Sequence, residues 1–429
     1  MAVKLIDLEL TRPFPALGTI DPVQYTHLQI LVRQNQRPIG YVWLENNSPR
    51  FLQEPYLRAT IEQQLFKELN QAALAELLLA EAAPQAAEWP PVTVAICTRA
   101  RPASLRRTLA SLLALDYPAD KLDLLVVDNA PPDDATAKLI AQFPQIRYVV
   151  EPRPGLDWAR NRAVQEALGS IVAFTDDDVA LDAHWVQALV PHFANEAVMC
   201  VTGLVAPAER ETAAQNLFED YGGFGRGFET RYYSMATQKI WRYWPLGAGI
   251  FGTGCNMAYR KSLFATIGGF DPALDVGTPA HGAGDHDMFY RTLRAGYLLV
   301  YEPAALIWHY HRPTYAELRS QLYDFGRGVY AFWTKTFFND GPMRWRTATF
   351  AALWYGGWFG KRLLRRAVNF PRDLVLAEAL GALSGPSAYW QSVRQARRVA
   401  RQFGQPPAAL AQPRMADLRV TGQSTGESA

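Results

Sequence analysis

From Val92 onward, short apolar runs alternate with stretches of helical periodicity. Residues 92–97, 122–127, 146–150 and 171–174 read as strands, and residues 104–115, 134–143 and 155–168 as the helices between them. Strands and helices in alternation, with short connections, predict a parallel sheet covered on both faces. Ile171-Val-Ala-Phe174 is apolar throughout, as a strand buried on both sides is. Upstream, residues 27–33 and 38–44 predict two strands around the polar turn Gln34-Asn-Gln-Arg37, and residues 59–82 predict one long amphipathic helix. Three prolines between Ala82 and Pro91 interrupt regular structure and mark a linker. Further on, residues 288–295 predict a helix and residues 304–308 a strand. Residues 206–246, with Tyr221-Gly-Gly-Phe-Gly-Arg-Gly-Phe228, predict a loop of glycines and aromatic faces, either mobile or packed. The layout is a small N-terminal α+β domain (1–88), an α/β domain (91–335), a helical basic C-terminal arm (336–403) and a tail (404–429) whose Pro, Ala, Ser and Gly predict disorder.

Composition narrows the class. With 429 residues and 49% hydrophobic content, the chain has material for one catalytic-size domain with additions. A net charge of +2 gives no whole-molecule attraction to nucleic acid, which is not expected as a partner. Cys97, Cys200 and Cys255 are odd in number, far apart and set in apolar stretches, so they read as buried thiols. The first residues carry acids and no small-residue cleavage site, and no run reaches the roughly 18 apolar residues a spanning helix needs, so a cytoplasmic protein is expected.

On sheets of this kind ligands gather outside the carboxyl ends of the strands, where strand order reverses. The residues at those ends are Thr98-Arg99, Asp128-Asn129 and Asp176-Asp177-Asp178. Three adjacent carboxylates repel one another and lose hydration together, so a divalent cation carrying phosphate oxygens is their natural partner. The competing reading is an Asp-rich turn that caps the next helix. Acids with one Arg suit a nucleotide, carboxylate to ribose or base and cation to pyrophosphate.

The stretches Val94-Ala-Ile-Cys-Thr-Arg-Ala-Arg-Pro102, Leu125-Val-Val-Asp-Asn129, Gly155-Leu-Asp-Trp-Ala-Arg-Asn161 and Phe174-Thr-Asp-Asp-Asp178 resemble, in order and spacing, the nucleotide-binding half of family 2 glycosyltransferases. Gly254-Cys-Asn-Met-Ala-Tyr-Arg260, Ile267-Gly-Gly-Phe-Asp271, Gly284-Asp-His-Asp287 and Trp308-His309 resemble the acceptor half. The resemblance spans roughly residues 91–335. It implies the GT-A fold, a Rossmann-like, mostly parallel sheet flanked by helices. It also implies inverting transfer from a nucleotide-diphospho-sugar to a glycan, lipid-linked or protein acceptor, assisted by Mg²⁺ or Mn²⁺. Carried onto this sequence, the resemblance places Thr98, Arg99, Asp128, Asn129, Arg160, Asp176 and Asp177 at the nucleotide-sugar. It makes Asp178, with Asp176, the metal ligand and Asp285 the general base. Gly284 stands where the family usually has Glu, so Asp287 is an alternative base, and either acid could instead cap the following helix. In a minority of GT-A enzymes a late His ligates the metal, a role open to His309 or His311; otherwise they are hydrogen-bonded histidines at a strand end. The Gln-x-x-Arg-Trp of processive synthases is not found, since Gln238-Lys-Ile-Trp-Arg242 has its last two residues reversed, which implies transfer of a single sugar.

Between Met343 and Arg401 eleven Lys and Arg stand against two acids, Asp373 and Glu378. Beside the apolar run 350–359 this suits a helix lying on an anionic membrane at the cytoplasmic face, or a basic cover over the catalytic domain. Two other functions compete: an Asp-x-Asp phosphotransferase or phosphohydrolase, and a non-catalytic carbohydrate- or lipid-binding protein. The first usually carries its acids after the first strand, and here they follow the fourth. A nicotinamide dehydrogenase is disfavoured, because no Gly-x-Gly-x-x-Gly follows the first strand.

Overall fold

The computed structural model describes every residue except 1, 15–19, 48–52, 80–88, 237–241, 365–369, 405–410 and 413–429. The linker at 82–91 and the tail from 404 therefore lie largely outside the described residues, as does most of Gln238–Arg242. A first sheet joins β1 (Ala2–Glu9), β2 (Tyr25–Gln34) and β3 (Arg37–Glu45), with β1 parallel and β3 antiparallel to β2. The strand β1 escapes the apolar-run criterion because Lys4, Asp7 and Glu9 interrupt it. The single helix expected over 59–82 is two, Glu54–Gln64 and Phe66–Leu79. They break at Leu65, which leaves helical geometry (φ −113°) and is buried with Leu57 and Ile61 against the sheet, its side chain under Gly40.

The large sheet contains β4 (Val92–Thr98), β5 (Leu122–Asn129), β6 (Ile146–Glu151), β7 (Ile171–Thr175), β8 (Val179–Leu181), β9 (Val198–Pro207), β10 (Arg231–Tyr233), β11 (Asn256–Arg260) and β12 (Leu298–His309). Its order is β10-β12-β9-β11-β7-β4-β5-β6, with β8 beside β12. The pairs β4–β5, β5–β6 and β4–β7 are parallel, as the alternation of strands and helices predicts. Beyond β7 the sheet is mixed, because β11 runs antiparallel to both β7 and β9. Successive residues of β4 point to opposite faces, and both faces are apolar. Ala95 joins Val127, Phe174 and Met257 on one side, and Val94 and Ile96 join Val126, Ala173 and Trp185 on the other. That double burial is why these strands read as unbroken hydrophobic runs.

The helix Tyr315–Asn339 crosses the boundary expected at 335/336, so the arm does not begin there. The helix Arg372–Phe403 packs along it. Contact is close because a β-carbon on Gly326 would collide with the backbone carbonyl of Glu378. The first sheet is tied to the second by Arg33 Nη1 to Asp182 Oδ2 (2.7 Å) and by the Val3 amide to the Arg210 carbonyl (2.8 Å). Among the described residues, no helix is long and apolar enough to cross a membrane.

Candidate active site

From β4 the chain passes to β5 and β6 on one side and returns to β7 on the other, so strand order reverses between β4 and β7. A cavity of about 640 Å³ opens at their carboxyl ends, lined by Thr98, Arg99, Arg101, Asn129, Asp176, Asp177, Asp178, His309 and Arg312 among others. All four stretches quoted for the nucleotide-binding half therefore meet here, the third through Leu156. Asp177 accepts hydrogen bonds from Thr98 Oγ1 (2.6 Å) and Arg101 Nη1 (2.6 Å), while Arg101 Nη2 reaches Asp178 Oδ2 (2.8 Å). His309 Nε2 stands 3.3 Å from Asp178 Oδ1.

The triplet's electrostatics are uneven. Enclosure by protein, with Asp178 adjacent, pushes the Asp176 carboxyl up to about 7, and burial pushes Asp177 up to about 6 against the pull of Arg101. Burial would raise Asp178 too, but His309, Arg101 and Arg312 outweigh it and hold that carboxyl below its ordinary range. Burial drives His309 down to about 4, so its ring is neutral near pH 7, and its Nδ1 has no hydrogen-bond partner. Donor atoms of Asp176, His309 and Cys255 lie within 4.8 Å of one another. Burial holds the Cys255 thiol well above its ordinary value, and its sulfur lies 3.0 Å from Thr253 Oγ1, so it offers no thiolate. Carboxylate oxygens and a neutral imidazole with an unpartnered nitrogen are a donor set that fits Mg²⁺ or Mn²⁺.

Two residues expected at this site are turned elsewhere. His311 pairs through Nε2 with Glu219 (2.8 Å), stacks on His309 (5.3 Å between rings) and does not line the cavity. Asp128 is fully buried behind the strand end, where it accepts a hydrogen bond from the Tyr148 hydroxyl (2.8 Å). Its neighbour Asn129 does line the cavity and braces the next turn, accepting from the Gly155 amide and donating to the Arg153 carbonyl.

A second cavity of about 440 Å³ adjoins the first, sharing Asp176, His309, Phe224, His281, Asp324 and Phe325 with it. Arg160, Arg226, Gly254, Asp285, His286 and Glu378 also line it. The glycine-aromatic loop is packed here, with the Phe224 ring against His309 (5.1 Å) and Arg226 Nε bonded to the Gly249 carbonyl (2.6 Å).

Asp285 sits in the first turn of the helix Gly284–Arg294, which starts four residues before the expected Met288. Its Oδ2 accepts from the Gly254 amide (2.7 Å) and its Oδ1 from the His286 amide (2.8 Å), leaving it partly open to the cavity. Asp287, the alternative base, is buried away from both cavities. Burial would raise its carboxyl, yet Arg291 (2.8 Å) and Lys335 (2.7 Å) hold it low. Asp287 is therefore structural. The N-cap is Ala283 in a left-handed conformation (φ 72°), and of the two acids Asp285 meets a free first-turn amide, that of His286. Asp275 (φ 64°) and His281 (φ 60°) share that strained geometry, concentrated beside the cavity.

The glycine at 284 has a steric reason. A β-carbon there would collide with the Asp157 carboxylate and stand 2.7 Å from Asp275 Oδ2. Arg160 Nη1 holds both acids, at 3.1 Å and 2.5 Å. Burial raises Asp157 well above the ordinary carboxylate range, and its Oδ2 is unpartnered. Two acids from elsewhere thus fill the space into which a side chain at 284 would project. Sequence reasoning missed Arg101, Asp157, Asp275 and Glu378. Arg101 and Asp157 lie inside stretches quoted for the resemblance; Asp275 and Glu378 had no local signal.

Crevices of this kind, lined by acids and arginines at the switch point of an α/β sheet, are where such folds gather nucleotides and phosphates. Residues 93–268 match the family described as Glycosyl transferase family 2, and this segment is similar to a family 2 glycosyltransferase domain. It is 28% identical over 223 residues to the pre-mycofactocin glycosyltransferase of Mycobacterium tuberculosis, covering 52% of this chain and 43% of that protein. It is 27% identical over 252 residues to the probable glycosyltransferase YdaM of Bacillus subtilis (56% of each), and 25% identical over 227 residues to the succinoglycan biosynthesis protein ExoM of Rhizobium meliloti (52% and 66%). The matches span about half the length of these relatives. Among solved structures, a mannosyltransferase from Pyrobaculum calidifontis in complex with GDP-Man and Mn²⁺ aligns at 19% identity and a TM-score of 0.43, covering 76% of this chain and 79% of that one.

Proposed function

We propose that the protein is an inverting, metal-assisted glycosyltransferase that moves one sugar from a nucleotide-diphospho-sugar to a hydroxyl acceptor. The observation that carries this reading is that Asp176 and His309 border both cavities, so the strand-end acids and Asp285 face adjoining spaces. The larger cavity takes the donor and the smaller the acceptor. Asp178, Asp176 and His309 would hold the cation, which when bound would supply positive charge for the departing diphosphate. Arg99, Arg101 and Arg312 line the same cavity and offer further charge to the phosphates. Thr98 and Asn129 border the nucleoside end. Asp285, fixed by two backbone amides, accepts the acceptor hydroxyl's proton as that oxygen attacks the anomeric carbon. Arg160 neutralises Asp275 and burial keeps Asp157 protonated, so that the pair does not oppose the base from beneath.

Donor and acceptor are open within that class, and a glycan, a glycolipid and a protein hydroxyl all meet the chemistry. We place the protein in the cytoplasm, with the C-terminal region as its contact to an anionic membrane. Leu376, Leu380 and Leu383 are exposed along one side of the helix Arg372–Phe403, whose far end carries Arg394, Arg397, Arg398 and Arg401. The divisions 1–88, 91–335, 336–403 and 404–429 remain our proposed domain scheme, amended by the helix that runs through 336. The test is thermal unfolding with UDP or GDP, each with and without Mn²⁺, followed by turnover of the matching nucleotide-sugars. A cation-dependent rise with one nucleotide and release of that nucleotide support the reading; no rise and no turnover with any would overturn it.

A further inference from the structure

We propose that Glu378 binds hydroxyl groups of a polyhydroxylated acceptor and makes the C-terminal helix a specificity element; this rests on the reading above that the smaller cavity is the acceptor site. Glu378 lies far beyond the family match, which ends at residue 268. Its helix reaches the cavity through a close crossing with Tyr315–Asn339, made by Gly326 under the Glu378 carbonyl and Gly381 against the Tyr323 carbonyl. The side chain forms part of the cavity wall with Asp285, His286, Tyr221 and Phe325.

Glu378 is chemically unlike the other acids there. Asp285 has two amide donors, and Asp324 faces His281 (3.3 Å) and Arg327 (3.6 Å). Oε2 of Glu378 is buried with no hydrogen-bond partner, and burial alone, with no cation opposing it, pushes the carboxyl up to about 8. A buried polar atom without a partner beside an open cavity calls for a ligand group that completes it. A protonated carboxyl offers one O–H donor and one carbonyl acceptor, the pair that two neighbouring hydroxyls satisfy. Tyr221 and Phe325 in the same wall supply aromatic surface for the C–H face of a sugar ring. Asp176, Asp285 and Asp324 offset the cations of Arg160 and Arg226 around the space, so no excess positive charge favours a phosphate or carboxylate, and a purely apolar acceptor would leave Glu378 unpaired.

The test uses the full chain and methyl glycosides as probes, in saturation-transfer NMR on wild type, E378Q and E378L, with thermal unfolding to verify folding. At least one methyl glycoside is expected to show contacts with wild type and with E378Q, whose amide keeps a donor and an acceptor, and to lose them in E378L. In transfer assays the acceptor KM of E378L should rise about tenfold, the loss of one or two hydrogen bonds, with the donor KM little changed. Equal contacts in folded E378L, or none with any methyl glycoside in wild type, would overturn the assignment. Absence of nucleotide-sugar turnover alongside E378L-sensitive glycoside contacts would sink the transferase reading and leave this one standing.

Discussion

The two acids of the helix Gly284–Arg294 can be told apart by D287N. Asp287, Arg291 and Lys335 form a buried ion cluster with 2%, 3% and 6% side-chain exposure, at 2.8 Å and 2.7 Å. The amide keeps the shape but removes the carboxylate that balances Arg291 and shares Lys335 with Asp271 (2.7 Å), and breaking a buried ionic partnership costs about 3–5 kcal/mol. A chain of this length unfolding as one unit has an unfolding entropy of about 0.9 kcal/mol per degree, so the melting temperature should fall by about 3–6 °C. The assay is scanning calorimetry of wild type and D287N at pH 7, paired with nucleotide-sugar turnover well below the melt. Turnover per folded molecule should stay within about threefold of wild type, because loss of a general base costs about 10²–10⁴. A D287N protein that melts like wild type yet has lost turnover by two orders of magnitude would refute the assignment of Asp287 as structural.

Other consequences are equally open to measurement. D178N should weaken Mn²⁺ binding by about tenfold or more, read as a smaller Mn²⁺-induced rise in melting temperature; an unchanged rise removes Asp178 from the cation site. Asp176 and Asp177 have folded values of about 7 and about 6, above the unfolded 3.8, so the stability they confer is present below about pH 4 and lost as pH rises through 6 and 7. In chelator the melting temperature should accordingly fall between about pH 5 and pH 8, and Mn²⁺ should lessen the fall; a flat or rising profile in chelator would contradict the crowding of the triplet. G284A forces a β-carbon into the Asp157–Asp275 pair and should cost about 1–3 kcal/mol, seen as a lowered midpoint in urea; a neutral substitution would show that the cluster yields.

How much of this was visible in the chain depends on which side of an element carries the message. The strands β4, β5, β6 and β7 are buried on both faces, so their apolar runs announce themselves and their carboxyl ends point to Thr98, Asn129 and Asp176–Asp178. Strand β9 is as apolar and buried as β7 and is legible by the same criterion, whereas Asn256–Arg260 follows a glycine-rich approach and shows as a strand only through its pairing with β7. Asp285 and Asp287 are two residues apart, which on a helix separates them by about 200°, so only one can face the cavity. That argument needed the helix to begin at Gly284, and the start expected at Met288 concealed it. Asp128 follows a strand as Asp176 does but turns behind the sheet edge to Tyr148, and spacing carries no sign of such a turn. Glu378 is one of two acids in a basic region, and only the packing of two distant helices gives it a cavity to face.

The central claim is that acids from two remote parts of the chain serve one sugar-transfer step, with Asp285 taking the proton. The most direct measurement is transfer by D285N with the nucleotide-sugar that wild type uses, beside the thermal shift given by that nucleotide and Mn²⁺. The account predicts that the shift stays at the wild-type value while transfer falls by about 10²–10⁴. Transfer by D285N within a few-fold of wild type would contradict it.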